Sequence, residues 1–121
     1  MADIFERLDD LGAETEDSLE RFMNDEDMYL KYIRSFPDEP SMSVLRKAVD
    51  DKNYEQAEKS VHALKGIANN LGFIPLADVT VDMLAELRAG NIEDALDAYD
   101  DVVEEYEKFC KVINEWHSSE K

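Results

Sequence analysis

From Ile92 onward one pattern limits what the chain can fold into. Ile92, Leu96, Tyr99, Val103, Tyr106, Cys110 and Ile113 recur at spacings of four and three, and Ala95, Val102, Phe109 and Trp116 widen the stripe. Apolar residues at that period share one face of an α-helix, here about seven turns long. A face so long and broad is not covered by one neighbour. It calls for several helices packed around it, the arrangement of a helical bundle.

The preceding residues read as those helices. Ile4, Phe5, Leu8 and Leu11 lie on one side of a short helix, with Gly12 as its stop. Leu19, Phe22 and Met23 precede an acidic break at Asn24–Asp27. Met28, Tyr29, Tyr32, Ile33 and Phe36 then repeat at three and four until Pro37. The run "PDEP" reads as a linker, with Ser41 or Ser43 capping a helix striped by Val44, Leu45, Ala48 and Val49. That helix stops near Asp51–Asn53. The next spans 54–71, with Gly72 as C-cap and Pro75 opposing continuation. Another places Val79, Met83, Leu84 and Leu87 inward and ends at Gly90. With four glycines and three prolines in 121 residues, nothing competes with helix. The expected fold is all-α: one domain over residues 1–121, an antiparallel four-helix bundle with additional short N-terminal helices.

Charge narrows the function. The net charge of −17 repels nucleic acid and anionic membranes, and no apolar run is long enough to span a bilayer. The start "MADIFERLDD" lacks the basic and apolar regions of a signal peptide, so the chain reads as cytoplasmic. One cysteine, Cys110, and two histidines, His62 and His117, do not make a structural zinc set. No glycine-rich phosphate loop appears, and no cofactor or metal is expected. His117 is given no role. Cys110 reads as a buried, inert thiol, and Tyr99 and Tyr106 as core residues with hydroxyls at the rim.

The acids avoid one segment. Residues 52–77 carry a formal +1, leaving −18 for the rest, and residues 66–77 carry no charge. Within this segment "VHALKGIANNLG" places Gly66 inside a helix, where glycine costs about 1 kcal/mol relative to alanine. At about 100° per residue, Val61, Leu64, Ala68 and Leu71 fall within about 40° of Ala57. His62, Lys65, Gly66 and Asn69 lie about 80–180° away, on the solvent side. His62 is therefore read as an exposed histidine, not one satisfied in the core. Gly66, one turn from it, packs nothing; its benefit is a missing side chain that lets another backbone approach.

An imidazole in water is largely neutral, and so nucleophilic, at neutral pH. A lone one lacks the orienting base and oxyanion donors of a hydrolase. Accepting a phosphoryl group needs less: Lys65, one turn away, offsets the incoming negative charge, and Asn69 is a donor to a phosphoryl oxygen. The metal and catalytic groups are then the partner's.

The pattern His62-x-Leu64-Lys65-Gly66, with Gly72 ten residues after the histidine, resembles the histidine-containing phosphotransfer (HPt) domain. So do "LERFMNDEDMYLKYIRSF" as a first bundle segment and "LRKAVDDKNYEQAEKSVHALKG" as the approach helix, loop and motif. The resemblance covers nearly the whole chain. It implies a four-helix antiparallel bundle and a non-enzymatic phosphocarrier in a two-component phosphorelay. Its partners would be receiver domains of response regulators and of hybrid sensor histidine kinases. It implies phosphorylation of His62, stabilisation of the phosphoryl group by Lys65, and receiver docking at Gly66, a face to which Lys59 and Asn69 also belong. Some members carry an imidazole-orienting glutamine twenty-two residues after the histidine. That position is Leu84 here, so the support is absent or comes from a neighbour such as Asp82. Ile67, Leu71, Phe73 and Ile74 are candidates for the docking surface, with burial favoured for Leu71 and Ile74. The alternative functions are a non-catalytic helical adaptor and, less favoured, an enzyme with His62 as general base.

Overall fold

Every regular element among residues 3–119, which the computed structural model describes, is helical. In chain order they are α1 (Asp3–Asp10), α2 (Thr15–Arg21), α3 (Glu26–Ser35), a 3-10 turn (Phe36–Asp38), α4 (Pro40–Asp50), α5 (Tyr54–Leu71), α6 (Ile74–Ala89) and α7 (Ile92–Ser119). α4, α5, α6 and α7 pack as successive neighbours. Their connections, 51–53, 72–73 and 90–91, are too short for anything but antiparallel pairs. An ion pair from Arg46 to Glu107, at 3.6 Å, links α4 to α7. The expected antiparallel four-helix bundle is thus the observed one. The three additional N-terminal helices lie against α5 and α7. No described helix is long and apolar enough to cross a membrane.

α7 buries Ala95, Val102, Tyr106, Phe109, Ile113 and Trp116 along the stripe that its sequence displays. Between α7 and the rest, Phe73 stacks on Phe109 with centroids 4.4 Å apart and meets Phe36 edge-on at 4.9 Å. A second row runs Phe5–Tyr29–Phe22 and joins α1, α2 and α3.

The proline-rich stretch departs from expectation. "PDEP" is no linker: Pro37 sits in the 3-10 turn and Pro40 opens α4, both in first-turn positions where a missing N–H is no loss. The α4 cap is neither Ser41 nor Ser43 but Glu39, whose carboxylate accepts from the Ser41 backbone N–H and from its hydroxyl, each at 2.7 Å. The helix starts earlier, and its buried stripe keeps Leu45 and Ala48, with Val49 packed at its edge, but gains Met42 in place of Val44. Met42, Leu45 and Ala48 are buried, whereas Val44, assigned to the stripe, is 42% exposed. The Tyr106 hydroxyl is not at a rim either; it is buried, donating to the Phe36 and Pro37 carbonyls at 2.9 and 3.0 Å and fixing that turn to α7.

Candidate functional site

α5 has defined ends. The Asn53 side chain accepts from the Gln56 N–H at 3.2 Å, capping the start. Gly72 takes the left-handed conformation that closes the last turn, with φ at 81°. Between them the helix buries Ala57, Ser60, Val61, Leu64, Ala68 and Leu71 against the bundle. The opposite side presents Lys59, His62, Gly66 and Asn69 to solvent, with Lys65 half-buried among them. All five residues singled out in the sequence therefore lie off the buried stripe of α5.

Lys65 forms no ion pair among the described residues, while Lys59 lies 3.9 Å from Glu55 on the same helix. No described side chain hydrogen-bonds the His62 imidazole. Leu84, at the position of the family's orienting glutamine, is buried in the bundle, and Asp82 is exposed and does not bond to His62. Neither supplies that support. A Cβ built on Gly66 meets nothing within 4 Å, so the glycine answers no packing need inside this molecule.

Beside Gly66 lies an open depression of about 440 Å³. Its floor is Gly66, Asn69, Asn70 and Ile74, and Glu14 and Arg21 complete its lining. Of the apolar residues considered for docking, Ile67 and Ile74 are half-exposed and Leu71 is buried. Phe73 does not belong to any surface: its ring sits in the aromatic core. The residue after a left-handed C-cap turns inward here, packing down onto α7, which residue spacing along α5 does not reveal.

No sequence motif pointed to Arg21. Its guanidinium Nη2 donates to the carbonyls of Asn69 and Asn70, at 2.6 and 3.2 Å, and to Ser18 Oγ at 2.7 Å. A cation at the carbonyl end of a helix is favourably placed in its dipole. Cys110, expected to be buried, is only partly so. Half-buried on α7, its thiol is pushed up to about 11 by burial, which keeps it protonated and unreactive.

A bundle that exposes a histidine on a helix face between two lysines, with open space one turn away, has the arrangement of a helical module that offers that side chain to a partner. A model of the Hpt domain family matches residues 13–112, and the chain belongs to that family. Membership assigns it to phosphorelay phosphotransfer in general, with receiver domains as the class of partner. No curated protein and no solved structure matches the chain.

Proposed function

We propose that the chain is a cytoplasmic phosphorelay carrier, acting as one HPt-like domain over residues 1–121, whose phosphorylated residue is His62. An imidazole nitrogen of His62 attacks the phosphorus of a receiver's aspartyl phosphate. A P–N bond forms as the P–O bond to the aspartate breaks, and the carboxylate leaves with the electron pair. The same exchange in reverse, on a second receiver, completes the relay. Lys65, with no carboxylate of its own to neutralise it, balances charge on the phosphoryl group. Gly66 and Asn69, with Lys59 at the margin, form the face on which the receiver sits.

The observation that carries this reading is the pairing of an exposed His62 with open space at Gly66. The bare imidazole favours a carrier over a general base, which requires a second polar group held against it. The test is intact-mass analysis after incubation with phosphorylated receiver domains and Mg²⁺, and separately with phosphoramidate. An acid-labile, base-stable phosphoryl group on the wild type, absent from His62→Gln, is the expected result. A folded protein that no donor labels overturns the reading in favour of an adaptor.

A further inference from the structure

The floor of the depression beside Gly66 belongs to the uncharged segment 66–77, so its charge comes from α2. Glu14 and Arg21 stand at the two ends of that helix, their backbones about 10 Å apart along its axis. Both ends are fastened to the C-terminus of α5. The Glu14 backbone N–H donates to the Gly72 carbonyl at 2.8 Å, and the Arg21 guanidinium holds the Asn69 and Asn70 carbonyls. Neither charge is consumed by that fastening. Arg21 donates only through Nη2, and it forms no ion pair among the described residues, unlike Arg7, Arg46 and Arg88. Glu14 occupies the N-cap position of α2, yet its carboxylate makes no capping bond and pairs with no cation among the described residues.

Arg21 sits over residues 69 and 70, seven and eight positions beyond His62, or about 10 Å further along α5. That is too far to touch a phosphoryl group on the histidine, so these charges act on docking, not on the transfer itself. Charges of opposite sign flanking a neutral floor set the register of a partner and penalise one whose charges are reversed. We infer that this groove selects among receivers. It fits a receiver surface that places a carboxylate against Arg21 and a cationic side chain against Glu14. The inference rests on the carrier reading above.

The test uses the full chain, purified receiver domains phosphorylated with acetyl phosphate as donors, and phosphoramidate as the partner-free donor. Arg21→Glu and Glu14→Lys should each lower the second-order rate constant for transfer from the most efficient receiver about tenfold. Labelling of His62 by phosphoramidate should stay within about twofold, because the groove takes no part in it. Melting curves accompany each variant. Glu14→Lys removes no side-chain hydrogen bond, so it decides the question if Arg21→Glu does not fold. Unchanged receiver transfer in folded Glu14→Lys overturns the inference while leaving the carrier reading standing. Equal loss with both donors also overturns it, since the groove would then act on His62 itself. Failure of every donor to label the wild type removes the carrier reading, and the inference with it.

Discussion

The Tyr29 hydroxyl of α3 donates to the Leu71 carbonyl at the end of α5, at 2.6 Å and out of contact with water. Leu71 lies in the last turn of its helix, where carbonyls lack intrahelical partners. The bond therefore satisfies a buried acceptor and joins the N-terminal helices to the helix that carries His62. Tyr29→Phe keeps the ring and strands the carbonyl. It should lower the unfolding free energy by about 1–3 kcal/mol, measured by urea denaturation. A loss smaller than a few tenths would mean that the carbonyl finds another donor.

The same phenol gives the fold an alkaline limit. Burial, opposed by a hydrogen bond with Ser18, pushes Tyr29 up to about 12 from 10.0. The folded state thus favours the neutral phenol. Its contribution is complete below 10.0 and is lost as pH rises through about 12. Tyr106 is raised by burial as well, in the same direction. The urea midpoint of the wild type should fall steeply over this window, and Tyr29→Phe should fall less steeply. Parallel curves for the two proteins would show that Tyr29 does not titrate with unfolding.

Gly72 is required by backbone and neighbours together. At φ 81° an L side chain is strained, and a Cβ would collide with Ser18 Oγ and approach the Glu14 carbonyl to 2.7 Å. Gly72→Ala should lose at least about 2 kcal/mol, more than left-handed strain alone, and push α2 off the end of α5. Heteronuclear NMR would show shifts concentrated in residues 14–21. A change confined to α5 and α6 would mean that α2 is not seated as described.

Phe73 separates core from surface. Its ring lies between Phe36 and Phe109, fully buried, and truncation to alanine opens a cavity there. Phe73→Ala should cost about 3–5 kcal/mol of stability. At temperatures where it stays folded, it should transfer phosphoryl groups nearly as well as the wild type. A stable variant with impaired transfer would instead return Phe73 to the docking surface.

These cases show which features were legible. The α7 stripe and the two faces of α5 follow from a 3.6-residue period sustained over many turns, so Ala57, Val61, Leu64 and Ala68 point inward as the angles require. Signals of one or two residues fared worse. Pro37 and Pro40 break a pattern equally well by ending a helix or by starting one, and only Glu39's reach to Ser41 decides between them. The short α2, "TEDSLER", has too few apolar residues to show a face. Its seat on α5 depends on Arg21 and the Glu14 N–H meeting carbonyls some fifty residues away, a contact that no local pattern encodes.

Gly66 offers the sharpest separation of stability from function. Its φ is not in the left-handed region, and a Cβ there enters open space, so α5 gains by its replacement. Gly66→Gln should raise the unfolding free energy by up to about 1 kcal/mol, the difference in helix propensity. Phosphoramidate labelling of His62 should persist, since a small donor passes beside the new side chain. Transfer from a receiver should slow by about tenfold or more, because the added atoms occupy the space into which the partner's backbone must come. The three readouts move in different directions, and that combination is hard to obtain otherwise. A general loss of structure would lower all of them, and a bystander glycine would leave transfer intact while stability rose. Normal receiver transfer in this variant would therefore show that the open space at Gly66 is not where the partner approaches.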